Sequence, residues 1–185
     1  MVFRAGFFGY NGFMAFEHVI LKAIYGLAGT SSIVDGVLMF CARFLIYIVV
    51  VVFLEQLLVH REPYERLMKI FYSGLALILS VGIFQGALAY FISRPNPAAE
   101  LGFRAFTSGI MAFPALITTW AVSIAAIASV ALSKRLGAWF MAVALIIGFA
   151  QLYTGLYWPV DILVSFGIGI AGAIIAKRII PPTKS

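Results

Sequence analysis

Five long apolar segments, separated by short polar stretches, dominate the sequence. They lie at 34–58, 67–92, 110–132, 137–153 and 159–176. Most of them reach the roughly 20 residues that a helix needs to cross ~30 Å of hydrocarbon. Because lipid offers no partner for free backbone groups, each crossing segment should be helical. The pattern predicts an all-α, polytopic membrane bundle of about five transmembrane helices, the fourth of which we expect to extend to Gly155.

The first 30 residues follow a different pattern, in which aromatic residues alternate with glycine and charge. The residues concerned are Phe3, Gly6, Phe7, Phe8, Gly9, Tyr10, Gly12, Phe13, Phe16, Glu17, His18 and Lys22. This mixture is typical of the membrane interface rather than of the hydrocarbon core. We therefore expect a helix at 13–27 that lies on the membrane surface, with a sixth, weakly hydrophobic span as the alternative.

Composition supports a membrane protein and argues against several other classes. The chain has 185 residues, of which 63% are hydrophobic and 11% are charged, which is too apolar for a soluble domain of this size. The single cysteine, Cys41, excludes a disulfide framework, and the Cys/His spacing of a zinc site is absent. No metal or other cofactor is expected. We expect a single domain over 1–185, with an interfacial helix in 1–30 and the transmembrane bundle at 34–178.

The net charge of +6 comes from basic residues at the span ends, which favours membrane anchoring over nucleic-acid binding. With five spans, eight of the thirteen Lys and Arg residues fall on one face: Arg61, Arg66, Lys69, Lys134, Arg135, Lys177, Arg178 and Lys184. The other face carries Arg4, Lys22, Arg94 and Arg104, while Arg43 lies within the first span. The positive-inside rule makes the eight-charge face cytoplasmic.

The fifth span contains Gly167-x-Gly169-x-x-Gly172, which has the glycine spacing of a dinucleotide-binding motif. No βαβ unit surrounds it, and it lies in the middle of an apolar segment. Small residues that allow helices to approach closely are the better interpretation.

Three short segments with potential chemistry lie at span ends. They are Ser93-Arg94-Pro95, then Phe113-Pro114 with the following residues to Thr119, then Ala150-Gln151 and 155–161. Alternating span directions bring all three to the outer face. We therefore expect one outward-facing cleft, with these residues around it: Arg94, Ile117, Gln151, Tyr157 and Asp161.

The order and spacing of these segments resemble the type 2 phosphatidic acid phosphatase (PAP2) superfamily, and in particular its bacterial undecaprenyl-pyrophosphate phosphatases. That family carries Lys-x6-Arg-Pro, then Pro-Ser-Gly-His or Pro-Ser-Asp-His, then Ser-Arg-x5-His-x3-Asp. The resemblance covers roughly 27–176. It implies a helical bundle in the bacterial plasma membrane with its site near the outer surface. One histidine would attack phosphorus, the other would protonate the leaving group, and arginine would hold the phosphate.

The matching positions keep the frame of these motifs but not their reactive residues. Arg94, Pro95, Pro114 and Asp161 agree with the family pattern. The departures are Ala87 for the lysine, Ala115, Leu116 and Ile117 in the second motif, and Ala150, Gln151 and Tyr157 in the third. Both histidine positions, 117 and 157, therefore lack an imidazole, and each such group contributes ~10²–10⁴-fold to a rate.

Several of these residues also have structural interpretations. Arg94 could bind phosphate, or it could pair with Glu100 or Asp161 at the interface. Asp161 suits the first turn of a helix. Gln151 suits a hydrogen bond between helices. The aromatic Tyr157 fits an interfacial belt, and its ordinary pKa near 10 makes it a poor nucleophile.

The sequence therefore favours a PAP2-like membrane protein without phosphatase activity. It would bind a membrane lipid such as a polyprenyl phosphate through Arg94, Gln151 and Tyr157, or serve as a subunit beside another membrane enzyme of the cell envelope. The alternative is an active undecaprenyl-pyrophosphate or other lipid-phosphate phosphatase with an atypical nucleophile. A third hypothesis is a structural partner protein whose cleft is filled by its own side chains.

Overall fold

The computed structural model describes residues 10–59, 62–92, 94, 97–101 and 113–181, which form helices and the turns between them. The helices are α1 (Tyr10–Tyr25), α2 (Ser32–Arg43), α3 (Leu45–Leu58), α4 (Pro63–Leu77), α5 (Gly86–Phe91), α6 (Pro97–Leu101), α7 (Leu116–Ala131), α8 (Lys134–Tyr153) and α9 (Pro159–Ile179). A π-helical stretch, Ile78–Gln85, joins α4 to α5 and makes them one continuous rod. The prediction of an all-α bundle is confirmed.

Some residues named from the sequence lie outside the described part of the chain. They are Phe3, Arg4, Gly6, Phe7, Phe8, Gly9, Arg61, Ser93, Pro95, Arg104, Lys184 and residues 110–112.

Within the described part of the chain, three helical segments are long and apolar enough to cross a membrane: Pro63–Phe91, Lys134–Tyr153 and Pro159–Ile179. A fourth crossing arises if α2 and α3 are counted as one broken span. The sequence predicted one helical span over 34–58, whereas the structure has two helices there, α2 and α3, which meet at an angle of 48°. At the junction the N–H of Tyr47 donates to the carbonyl of Phe44, only three residues earlier, so the regular α-helical ladder is interrupted there.

The third expected span is represented by α7, which has 16 residues and is about 24 Å long. This is shorter than the ~30 Å of a bilayer core. The helix lies at the centre of the bundle and contacts α8 and α9 most extensively. Ten of its residues are buried, and the hydroxyls of Thr119 and Ser123 donate to carbonyls four residues earlier. Neighbouring helices, rather than lipid, therefore surround most of α7.

The N-terminal helix α1 contacts α8 and α9. The prediction of a helix at 13–27 is confirmed, with bounds shifted to Tyr10–Tyr25. Leu21 and Glu17 are buried, whereas Phe16 and Val19 are exposed. One side of α1 is thus part of the bundle. Its position relative to the membrane surface stays a prediction.

Close helix approach at glycine is confirmed for part of the 167–172 pattern. A Cβ on Gly169 would lie 2.9 Å from both the backbone nitrogen of Ser123 and Cγ1 of Val122. A Cβ on Gly172 would collide with the side chain of Ser80. Gly167 has open space around it. The contact between α7 and α9 therefore depends on the absence of a side chain at Gly169.

We expect Gly169→Ala to lower the stability of the bundle by about 1–3 kcal/mol, because α7 and α9 must move apart to admit the methyl group. Thermal unfolding of the purified protein in detergent measures the effect. Gly167→Ala, on the same helix, is the matched control and should be neutral or slightly stabilising. Equal unfolding temperatures for the two variants would contradict the close packing of α7 against α9.

Candidate anion site at the start of helix α9

The turn between α8 and α9 fixes the position of the acidic residue at the start of α9. Gly155, with φ +67, takes the left-handed conformation that ends a helix, and the N–H of Leu156 donates to the carbonyl of Gln151 at 3.1 Å. Pro159 is the first residue of α9, where its missing N–H has no consequence. Asp161 follows in the first turn of that helix and is buried.

Arg94, which follows α5, places its guanidinium between two carboxylates. Its Nη1 donates to Oδ1 of Asp161 at 3.0 Å, and its Nη2 donates to Oε2 of Glu17 at 2.7 Å. The Glu17 side chain is 1% exposed, that of Asp161 is 4% exposed, and that of Arg94 is 17% exposed. Charge-assisted bonds of this length in a shielded site are the strong class of hydrogen bond.

The remaining oxygens of both carboxylates accept from backbone N–H groups at the start of α9. The N–H of Trp158 donates to Oδ2 of Asp161 at 3.0 Å, and the N–H of Val160 donates to Oε1 of Glu17 at 3.3 Å. The first N–H groups of a helix have no partner inside the helix and carry its positive end. Arg94 and the N-terminus of α9 together form an anion site, and two carboxylates of the protein occupy it.

Two aromatic rings flank this site. The guanidinium carbon of Arg94 lies 5.8 Å from the ring centroid of the buried Trp158. The imidazole of His18 stacks on the same indole, with centroids 5.1 Å apart and planes at 16°. Nε2 of His18 is buried without a hydrogen-bond partner in the described part of the chain, and it lies 3.9 Å from Oε1 of Glu100.

Gln151 has the role between helices that the sequence suggested. It is fully buried, and its Oε1 accepts from the hydroxyl of Thr118 at 2.6 Å, which joins α8 to α7. Its Nε2 has no hydrogen-bond partner among the described residues.

Ile117 lies on a groove rather than in the ion-pair cluster. This apolar groove, of about 340 Å³, runs between α3 and α7 and is lined by Ile46, Tyr47, Val50, Leu116, Ile117 and Trp120. The structure therefore brings Arg94 and Asp161 together directly. Gln151 is hydrogen-bonded to α7, and Ile117 lines the groove between α7 and α3. The convergence of all five residues on one cleft stays a prediction.

Tyr157 is half-buried in the turn before α9. Burial raises the pKa of its hydroxyl, and the nearby charge of Asp161 raises it further. The side chain therefore stays a neutral phenol at physiological pH.

The segment of the second motif is held by buried polar side chains. Nε2 of Gln85, at the end of the π-helical stretch, donates to the carbonyl of Pro114 at 3.4 Å. The hydroxyl of Ser165 on α9 contacts the carbonyl of Ala115 at 3.1 Å and that of Asp161 at 2.7 Å. These contacts fix the start of α7 against α9 and the rod formed by α4 and α5.

Comparisons with known proteins agree with this architecture, although no family model matches the sequence. The undecaprenyl-diphosphatase BcrC of Bacillus subtilis is 27% identical over 155 residues, covering 83% of this chain and 79% of BcrC. The crystal structure of Aquifex aeolicus LpxE superposes with a TM-score of 0.68 at 20% identity, covering 96% of this chain and 99% of LpxE. Both relatives are PAP2 superfamily phosphatases.

The chain is similar to these PAP2 superfamily phosphatases in sequence and in fold.

Within the PAP2 pattern, the residues that this chain keeps have visible structural roles. Gly155 makes the turn, Pro159 begins α9, and Asp161 accepts from the N–H of Trp158 just before that helix. Pro114 offers its carbonyl to Gln85. These roles explain why the frame of the motifs fits the PAP2 fold even though positions 117 and 157 carry no imidazole.

The sequence interpretation missed Glu17 and His18 as members of the site. It considered Asp161 and Glu100 as partners of Arg94. Asp161 is a partner, but the second carboxylate belongs to Glu17, while Glu100 lies beside His18. Two adjacent polar residues in an aromatic and apolar stretch were the available signal. Nothing in their spacing indicates a partner 77 residues away.

We expect Asp161→Ala to lower the free energy of unfolding by about 3 kcal/mol, because it removes a buried ion-pair partner and the cap of α9 together. Asp161→Asn keeps an acceptor for the N–H of Trp158 and should lose less. Thermal or chemical unfolding in detergent measures both. Glu62→Ala, at an exposed carboxylate, is the control. A loss no larger than that of the control would contradict the structural role of Asp161.

Proposed function

We propose that this PAP2 superfamily protein binds a lipid phosphate, in the first instance a polyprenyl phosphate, without hydrolysing it. Its site combines anion donors with the absence of a reactive imidazole at the two positions where the family has one. The observation that carries the proposal is that the carboxylates of Glu17 and Asp161 accept hydrogen bonds from Arg94 and from backbone N–H groups at the start of α9.

The donors present suit phosphate oxygens as well as carboxylate oxygens. A guanidinium offers planar, paired N–H groups that match a phosphate edge, and a helix N-terminus supplies backbone N–H groups with a favourable dipole. These donors lie close together and come from the side chain of Arg94 and the backbone N–H groups of Trp158 and Val160. The site therefore retains anion affinity independently of any catalytic side chain.

Phosphoryl transfer through a covalent intermediate needs an activated nucleophile and an acid for the leaving group. Ile117 is apolar and lies on an apolar groove. Tyr157 is a phenol whose raised pKa disfavours the phenolate that would be needed for attack. Neither replacement can perform the step that an imidazole performs in the family.

The lipid class of the proposal comes from the relatives. BcrC is named for its action on undecaprenyl diphosphate. A chain with a similar fold, embedded in the membrane by its apolar helices, would contact the headgroups of such lipids at the membrane surface. In our proposal the cleft faces the outside of the plasma membrane, opposite the basic loops, in keeping with the positive-inside rule.

An active phosphatase is the second candidate, and one observation favours it. The imidazole of His18, on α1, stacks on the indole of Trp158. Its Nε2 is buried without a hydrogen-bond partner among the described residues. An imidazole supplied from a different element could replace one of the two missing ones. It would still lack the second.

The first test of the proposal is phosphate release. Purified protein in detergent is incubated with undecaprenyl pyrophosphate or phosphatidic acid, with Bacillus subtilis BcrC on undecaprenyl pyrophosphate as positive control. We expect release no higher than in a protein-free control, because positions 117 and 157 provide neither nucleophile nor acid. Mass spectrometry of lipids that copurify with the protein should show a phosphorylated lipid.

Two outcomes would contradict this account. Release that is abolished by Tyr157→Phe would assign a nucleophile to Tyr157, and release that is abolished by His18→Ala would assign a catalytic imidazole, as nucleophile or acid, to His18. Either result would establish the active phosphatase instead.

A further inference from the structure

We infer that Glu17 occupies the place of the ligand phosphate at Arg94, so that α1 acts as a latch that must release Arg94 before a lipid phosphate binds. The inference rests on the proposed function, because it concerns the occupancy of the same anion site. Its basis is the geometry of one carboxylate, which uses one oxygen for a guanidinium and the other for a helix N-terminus.

The contacts of Glu17 reproduce those of a bound anion. Its Oε2 accepts from Nη2 of Arg94 at 2.7 Å, and its Oε1 accepts from the N–H of Val160 at 3.3 Å. A phosphate that replaced this carboxylate could use the same two donors without moving either element. The side chain of Glu17 is 1% exposed, so it excludes a ligand from these donors while it is in place.

The two carboxylates differ in how they are attached to the site. Asp161 belongs to α9 itself and caps the N–H of Trp158 three residues earlier, so it stays with the helix. Glu17 arrives on a separate helix, 77 residues from Arg94 and 143 residues from Val160 in sequence. Its bond to Val160 is the longest of the four. Glu17 is therefore the partner that can exchange.

Charge also favours this exchange. Among the described residues, the guanidinium of Arg94 faces two carboxylates, so these three side chains carry a formal charge of −1 when both acids are ionised. A phosphate that approached the closed cluster would meet repulsion in a shielded environment where charges interact strongly. Departure of Glu17 removes one negative charge and frees two donors in the same movement.

The connection that follows α1 provides a fixed point for such a movement. The hydroxyl of Tyr153 donates to Oδ1 of Asp35 at 2.6 Å and lies 3.0 Å from the carbonyl of Leu27, while Asp35 also accepts from the N–H of Gly29. These contacts tie residues 27–35 to the end of α8. The helix can then lift Glu17, together with the buried Leu21, while its C-terminal end stays attached.

The experiment compares the affinity of the full-length protein for farnesyl phosphate, farnesol and inorganic phosphate. Calorimetry in detergent is done on the wild type, on Glu17→Gln and on the matched control Glu100→Gln, which removes a carboxylate that contacts His18 but is exposed. We expect Glu17→Gln to bind farnesyl phosphate about tenfold more tightly than the wild type, because a competing charge is gone. Glu100→Gln should match the wild type, and farnesol should not distinguish the variants.

A second measurement uses the native carboxylate, in case Glu17→Gln does not fold. Leu21→Cys in a Cys41→Ser background places a thiol on the buried side of α1. Maleimide should label it several-fold faster when farnesyl phosphate is present, and farnesol should have no effect. A labelling rate that farnesyl phosphate leaves unchanged or lowers would overturn the latch.

The outcomes separate the latch from the proposed function. Equal affinity of the wild type and Glu17→Gln for farnesyl phosphate, above that for farnesol, overturns the latch and leaves lipid-phosphate binding intact. No preference for farnesyl phosphate over farnesol in any variant overturns both. Hydrolysis of farnesyl phosphate overturns only the non-catalytic function. If Glu17→Gln raises the affinity for inorganic phosphate as much as the affinity for farnesyl phosphate, the latch stands but the assignment of a lipid ligand is overturned.

Discussion

The ion pairs of Arg94 with Glu17 and Asp161 are the interaction on which the end of the bundle at the start of α9 depends. They join three elements that are distant in sequence: the N-terminal helix, the segment after α5 and the start of α9. Each carboxylate is almost fully buried, so the loss of Arg94 would leave two acids without their cation, a change that is strongly destabilising. The same cluster closes the anion site. Stability and closure of the site therefore come from one set of contacts.

The closed site gives a physical account of how a PAP2-like fold could keep its frame under the non-catalytic function proposed above. The residues that shape the turn and begin α9 are needed for folding, whether or not a phosphate is processed. Catalytic imidazoles have no such structural duty, and positions 117 and 157 hold apolar or neutral side chains instead. Arg94 belongs to both groups, because it binds anions and, in this chain, also anchors α1 through Glu17. Its retention therefore needs no catalytic explanation.

Much of the fold follows from the sequence, because long apolar segments in lipid have to be helical. Four of the five expected segments carry helices close to their expected bounds. The interhelical hydrogen bond of Gln151 and the capping position of Asp161 were among the structural alternatives that the sequence offered. The bend between α2 and α3 was not predicted, because it occurs without proline or glycine at the junction. Glu17 was missed because a hydropathy pattern indicates which segments are buried or in lipid, but not which distant residue a side chain contacts. Long-range ion pairs are set by tertiary packing.

The central claim is that Glu17 and Arg94 form a buried, coupled pair, and a double-mutant cycle tests it most directly. Unfolding free energies in detergent are measured for the wild type, Glu17→Gln, Arg94→Gln and the double variant. A direct pair in a buried site predicts a coupling energy of about 1–3 kcal/mol, so that the double variant is much less destabilised than the sum of the single changes. A coupling energy within about 0.3 kcal/mol of zero would show that the two side chains act independently and would contradict the account.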